Sequence, residues 1–254
     1  VVNYMETGLG IWYPKGGMYK LSEALQKLVK DLGGEIITNT PVDEIIIEDK
    51  RAVGVRSKKQ KFTADTIIAN STNKGDFYGS KIIANSDLVY TYKNLIPTES
   101  RPSMPDEKLD SFKQASSALL FYWGVDDPCE GMLHHNVYLC KDFKKNLEEI
   151  FHEKVLPRDP SFYTYIPTKT DPSLAPKGKN VFYVLVPVPN LLGKVNWEKG
   201  IARIKKQVLA RLSSEFGLDI SRKIKVESVF TPHDFEKKFN LYNGSAFWLS
   251  HHFF

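Results

Sequence analysis

The segment that most constrains the fold is residues 10–45, GIWYPKGGMYKLSEALQKLVKDLGGEIITNTPVDEI. Pro14 fixes φ, and Gly16 and Gly17 permit the left-handed backbone of a tight turn. Leu21, Ala24, Leu25, Leu28, Val29 and Leu32 recur at three-and-four spacing, which predicts a helix over 20–32 with one apolar face. Gly33 and Gly34 supply its stop. The β-branched runs 35–38 and 42–48 read as strands. The charged turn Glu48-Asp49-Lys50-Arg51 folds 42–47 back onto 52–55 as a hairpin or meander. On pattern alone, such a unit serves equally as plain α/β packing or as part of a binding site.

Length leaves room for one large domain or two ordinary ones: 254 residues, 42% hydrophobic and 26% charged, the usual mix of a folded chain. The formal charge of +5 is scattered among interleaved signs. The basic clusters at 58–61 and 205–206 are short and read as solvated faces, so they give no argument for nucleic acid; attraction to an anionic membrane surface stays open. Cys129 and Cys140 form neither a disulfide framework nor a metal motif and read as free intracellular thiols. No apolar run is long enough to span a bilayer, and the first residues lack the basic start and apolar core of a signal peptide. With Val rather than Met at position 1, the chain reads as incomplete or processed.

After the hairpin, 62–70 reads as a further strand. Ile67-Ile68-Ala69-Asn70-Ser71 then returns word for word as Ile82-Ile83-Ala84-Asn85-Ser86, with the polar stretch 72–81 between them reading as a surface loop. Two copies are too few for a repeat architecture, so a local insertion, a duplication or a retained intron over 72–86 accounts for them better. Pro97, Pro102 and Pro105 predict a crossover into a second domain. Beyond it, 116–124, 137–140, 181–188 and 224–230 read as strands, with Pro187 and Pro189 ending the third or placing it at an edge. Helical spacing marks 141–152, with Phe143, Leu147, Ile150 and Phe151 on one face. It also marks 197–216, with Ile201, Ile204, Val208, Leu209 and Leu212 in a stripe and Gly217 as its stop. Thr231-Pro232-His233-Asp234 is a helix start: a Thr cap, Pro in the first turn and an acid to complement the dipole. The second half is therefore an α+β arrangement with a largely antiparallel sheet, following an α/β first half.

Motifs that carry chemistry are sparse. Gly8-Leu9-Gly10 opens like a dinucleotide fingerprint, but Tyr13 stands where the third glycine belongs. His134-His135 and His251-His252 are adjacent pairs; neighbours on a strand point to opposite faces and no further ligands lie at zinc spacing, so no metal is expected. No GxSxG nucleophile occurs, Ser245 reads as part of a small-residue turn, and no carboxylate pair stands out as an acid/base couple. Aromatics are plentiful, among them Tyr122-Trp123, Phe162-Tyr163, Tyr165 and Phe182-Tyr183. They serve equally as core or as the wall of an apolar tunnel.

Several segments together resemble one family. Residues 10–45 and IIANSDLVYTYKNLIP resemble the flavin-domain signature of bacterial and fungal-type phytoene desaturases. SSALLFYWGVD, LHHNVYLCKDFKKNLEEIF, SFYTYIPTKTDPSLAPKGKNVFYVLVPVPNL and FTPHDFEKKFNLYNGSAFWLSH resemble their substrate domain. The likeness covers nearly everything except 72–81, and the fungal-type branch is nearest in wording.

The resemblance implies a two-lobed, FAD-dependent, amine-oxidase-like flavoprotein fold, α/β plus α+β, incomplete here. The family's N-terminal GxGxxG unit and its C-terminal Gly-rich flavin segment are missing. It divides the chain into the end of a substrate-lobe segment (1–16), part of the FAD-binding lobe (17–96, with 72–86 inserted) and the substrate-binding lobe (97–254). The activity implied is carotenoid biosynthesis: removal of hydride from phytoene toward lycopene and 3,4-didehydrolycopene. FAD is the cofactor, with NAD, quinone or oxygen as open choices of electron acceptor. Dehydrosqualene desaturation, retinoid saturation and an inactive fragment are the alternatives. The implied partners are linear carotenoids and, peripherally, a membrane surface inside the cell, with no nucleic acid. Val42 falls on the strand whose backbone meets the adenine in that superfamily, and Gly16 and Gly17 fall in the matching turn. These three are the cofactor-binding candidates; no catalytic residue is singled out.

Overall fold

A computed structural model gives the fold and describes residues 8, 10, 12–57, 61–63, 66–69, 76–78 and 81–250. The first helix, α1 (Tyr19–Asp31), ends where the glycines predict: Gly33 takes φ +82 and the Gly34 amide donates to the Val29 carbonyl at 2.8 Å. Its apolar stripe does not become core. No residue of α1 is buried, and Leu21, Leu25 and Leu28 stand open to solvent. Residues 35–38 form no strand, because β propensity becomes structure only against a ladder partner and none pairs with them among the described residues.

The hairpin does form, starting two residues later than expected. β1 (Glu44–Glu48) pairs antiparallel with β2 (Arg51–Arg56), with a bulge between Ile46 and Ile47. Asp49 and Lys50 take φ of 47 and 62, as a two-residue turn matching the strand twist requires. The single strand expected over 62–70 is instead two, β3 (Lys61–Thr63) and β4 (Thr66–Ala69). Within the stretch read as a loop, β5 (Asp76–Tyr78) pairs with β2 and β3; the rest of 71–80 lies outside the described residues. β6 (Lys81–Ala84) runs parallel to β4 so that Ile67, Ile68 and Ala69 face Ile82, Ile83 and Ala84 in register: the two copies of the repeated segment pair with each other. Val42, Ile45, Val55 and Leu95 make a small core, with both Ile67 and Ile82 packed against it.

The prolines lead across to a larger body. Buried Arg101 fastens the crossover, donating to the Met104 carbonyl at 2.7 Å and to the Asp106 carboxylate, at the start of α2 (Asp106–Ser111), at 2.6 Å. Five antiparallel strands follow: β7 (Ser117–Val125), β8 (His135–Tyr138), β9 (Phe162–Tyr165), β10 (Asn180–Val188) and β11 (Ile224–Phe230), in the order β11-β7-β10-β9-β8. β10 is not an edge strand. It pairs with β7 along its length but with β9 only over Tyr183–Leu185, so Pro187, which has no N–H to give, sits where β9 has already ended.

Helix α3 (Phe143–Glu148) continues as a wider π turn, Glu149–Glu153. Its expected apolar face splits: Ile150 is buried, while Phe143, Leu147 and Phe151 point outward. Helix α4 (Trp197–Phe216) lies across one face of the sheet. There its Ile204, Val208 and Leu212 pack with Leu119, Phe121 and Trp123 of β7 and Phe182, Val184 and Val186 of β10, and Gly217 closes it at φ +65. Helix α5 (Pro232–Phe239) opens with a reciprocal cap between Thr231 and Asp234.

Candidate functional site

With α4 covering one face of the five-stranded sheet, strand alternation sends every second residue to the other face. The register lines these residues up across strands. One row runs Ser228, Tyr122, Tyr183, Tyr165, His135; the next runs Phe230, Leu120, Leu185, Tyr163, Val137. Each crosses five strands, a width of about 19 Å at the usual interstrand spacing. The rings touch along the rows: Tyr122 and Tyr183 have centroids 5.1 Å apart, Tyr165 and His135 5.5 Å, and Tyr165 and Tyr183 6.2 Å. The His135 ring nitrogen is 2.6 Å from the Tyr163 hydroxyl. Gly124 thins the sheet beside this face, since a Cβ there would come within 3.3 Å of Val226.

Burial holds the phenols of Tyr122, Tyr163, Tyr165 and Tyr183 above their ordinary range, and a hydrogen bond with Tyr13 adds to this at Tyr165. Burial, helped by His135, holds the His134 imidazole below its ordinary range. Burial thus disfavours the charged forms of these phenols.

The loop that precedes α1 closes one end of the face. Tyr13 packs edge-on against His134 at 5.1 Å and Tyr165 at 6.0 Å. The Gly16 amide donates to the Asp171 carboxylate at 2.6 Å, and the same carboxylate accepts from the Ser173 hydroxyl at 2.5 Å and the Ser173 amide at 3.1 Å. Those donors, Ser173 first and then Gly16, hold the Asp171 carboxyl below its ordinary range. The Gly17 amide donates to the Pro14 carbonyl at 3.1 Å. Gly16 and Gly17 take φ of 87 and 95, so the turn needs both glycines. Both amides are committed to acceptors of this chain: Gly16 ties the loop to the segment after β9, and Gly17 closes the turn on itself. No chemistry is routed through them. Val42, the third candidate, lies just before β1 with its side chain in the small core, far along the chain from the aromatic face.

The histidine pair departs from the expected geometry. His134 precedes β8 instead of lying within it, so its ring turns beside that of His135, with centroids 4.4 Å apart. Among the described residues no cluster of ligating side chains could hold a metal ion, and His251-His252 lie outside them. An open cavity of about 300 Å³ lies where the end of β6 and Asn85–Leu88 meet Trp248–Ser250. Its carboxylate, Asp87, caps the following turn by accepting from the Tyr90 amide at 2.8 Å, which marks it as an anchor and not a base. Cys129 and Cys140 are unbridged and buried, and burial pushes the Cys129 thiol up to about 11. Ser245 is likewise structural: its hydroxyl donates to the Trp248 carbonyl at 2.7 Å.

The family model for flavin containing amine oxidoreductases matches residues 1–72. A phytoene desaturase of Neurospora crassa is 34% identical over all of this chain and 42% of its own length. A diaponeurosporene-forming 4,4'-diapophytoene desaturase of Staphylococcus haemolyticus is 35% identical over 98% of this chain and 48% of its own length. The chain thus spans a little under half the length of these curated relatives. A crystal structure of an oxidoreductase from Methanosarcina mazei superposes with a TM-score of 0.51 at 17% identity, covering 85% of this chain and 43% of that one. The fold is part of an amine-oxidase-like flavoprotein fold, and the resemblance to phytoene desaturases holds from one end of the chain to the other.

Proposed function

We propose that this chain carries the substrate-holding face of a carotenoid desaturase, an FAD-dependent oxidoreductase that removes hydride from phytoene and related linear carotenoids. The observation behind this is the pair of rows crossing the five-stranded sheet: mostly aromatic and aliphatic residues on a face that α4 leaves open. A linear polyene has no charge and no hydrogen-bonding handle, so it is recognised through area and shape. Each methylene-sized unit taken from water contributes about 0.8 kcal/mol, and flat π surfaces pack well against tyrosine rings. Ionised groups on such a face would have to be desolvated at high cost, which is why phenols suit it better than carboxylates or amines. The flavin supplies the redox chemistry when bound. This chain's residues orient the polyene and exclude water. A substrate dissolved in lipid also makes a membrane surface inside the cell the natural peripheral partner.

A second reading, desaturation of the shorter diapophytoene (dehydrosqualene), is favoured by the similarity to the Staphylococcus haemolyticus enzyme. The test is expression of the encoding gene in cells that accumulate phytoene and, separately, in cells that accumulate diapophytoene. The expected result is coloured product in the first, seen by chromatography. Colourless cells with both substrates unchanged would overturn the reading; colour only in the second would select the shorter substrate.

A further inference from the structure

At the corner where the first cross-strand row ends, a polar atom is left without a partner. The Nδ1 atom of His134 pairs with the Thr170 hydroxyl, whereas its Nε2 atom is shut off from solvent and meets no hydrogen-bond partner. A nitrogen in that state has given up its water and gained nothing in return. Three rings pack around the imidazole: His135 with centroids 4.4 Å apart, Tyr165 at 5.0 Å and Tyr13 at 5.1 Å. His135 and Tyr165 are paired residues of β8 and β9 and end the row itself. Tyr13 lies on no strand and arrives from the loop before α1.

That loop holds Tyr13 in place. The Pro14 carbonyl accepts from the Gly17 amide, and the Gly16 amide is tied to Asp171. A Cβ on Gly17 would stand 3.5 Å from Leu174 and 3.7 Å from the Tyr13 hydroxyl, so the turn packs closely on the ring. The diagonally opposite corner of the face is built differently. Phe230, which ends the second row on β11, meets Phe235 and Phe239 of α5 at 4.8 and 5.8 Å, and Phe239 is 56% exposed. The apolar face therefore runs on outward at α5 and stops at Tyr13.

We propose that Tyr13 is the end wall of the polyene site and determines its specificity: the ring receives the apolar terminus of the chain and keeps the His134 Nε2 atom covered. This rests on the proposed function, because it takes a polyene to lie on the face. With Nε2 covered, the corner offers no partner to a hydroxyl at the polyene terminus. A hydroxylated chain end would bury its O–H unpaired against the wall, and the site discriminates by that penalty on the wrong ligand. Truncating Tyr13 uncovers Nε2, which then pairs with the same hydroxyl and turns the penalty into a contact.

The test measures binding of lycopene and of its 1-hydroxy derivative to the chain in detergent micelles, by quenching of tryptophan fluorescence. Wild type, Tyr13→Phe, Tyr13→Ala and Tyr13→Ala/His134→Phe are compared. Wild type and Tyr13→Phe are expected to prefer lycopene. Tyr13→Ala is expected to move the ratio of the two affinities about tenfold toward the hydroxylated chain. The added His134→Phe, which keeps a ring and removes the nitrogen, is expected to move it back. A merely structural role for Tyr13 would weaken both ligands together and leave the ratio where it was. An unmoved ratio in Tyr13→Ala, or a shift that persists in the double variant, would overturn the inference alone. Wild type that binds neither polyene would overturn the proposed function and the end wall with it.

Discussion

Phe182 and Tyr183 are neighbours on β10 and face opposite ways, so substituting each tests the division between core and site. Phe182 is fully buried, 6.0 Å from the Trp123 ring and beneath α4. A buried phenylalanine removes about 150–250 Å² from water, an upper bound of about 4–6 kcal/mol at 25 cal/mol per Å². An alanine keeps some of that burial and the site partly collapses, so Phe182→Ala should cost about 3–5 kcal/mol. In a chain of this size that lowers Tm by about 10 °C. Tyr183 is half-buried, and its ring leans on Tyr122 and Tyr165. Tyr183→Ala should cost only about 1–2 kcal/mol in stability, from two partly exposed ring contacts. Urea titration followed by tryptophan fluorescence, with Trp123 beside Phe182, measures both. A second assay, quenching of that fluorescence by lycopene in detergent micelles, reads the site. Tyr183→Ala should weaken binding about tenfold, whereas the milder core variant Phe182→Leu should leave it unchanged. If Tyr183→Ala unfolds the chain as readily as Phe182→Ala, or if Phe182→Leu and Tyr183→Ala bind lycopene alike, the assignment of faces is refuted.

A Cβ on Gly244, at φ +61, would stand 2.3 Å from the Pro232 carbonyl oxygen, so Gly244→Ala should cost about 3 kcal/mol or more; Gly33→Ala, at φ +82 with nothing within 4 Å, should cost about 1 kcal/mol, and equal losses in urea would contradict the geometry. Because the His134 pKa is depressed in the folded chain, stability should be complete above about pH 7 and fall as pH drops through the ordinary histidine range near 6.5, levelling off below the folded value; His134→Gln should flatten that slope in urea midpoints taken from pH 8 to 5. Asp171 acts in the same direction at lower pH: its depressed carboxyl stabilises the fold above about pH 4, and that contribution disappears as pH falls through its folded value. Deleting 72–86 removes β5 and its pairing with β2 and β3 but leaves Ile67 to take the place of Ile82 against the small core, so Tm should fall by no more than about 5 °C; a larger drop would show that the segment is not dispensable.

Much of the local structure was legible because short-range chemistry fixes it. The stripe and glycine stop of α4, the cap at Thr231 and the charged turn at Asp49-Lys50 depend on neighbours a few residues away, and all were placed from spacing and residue type. Beside the open stripe of α1, two further failures of the same reasoning are instructive. Residues 35–38 have strand propensity but no ladder partner. In α3 the periodicity was real, yet the sign of burial was inverted, with Asn146 and Glu149 inside and Phe143, Leu147 and Phe151 outside. Periodicity states that a helix has two faces; it does not state which one meets the protein.

The site divides along the same line. The sequence by itself determined the family resemblance, four of the five strands of the second-half sheet (all but β9) and the supply of aromatic residues along β7, β9 and β10. It could not sort Tyr122 from Trp123 or Tyr183 from Phe182 into site and core, and it could not show that the Gly16 amide is committed to Asp171, 155 positions away. Only the tertiary structure decided these, because they depend on cross-strand register and on which sheet face α4 covers. Both are set by contacts between segments far apart in the chain, where no local pattern reaches.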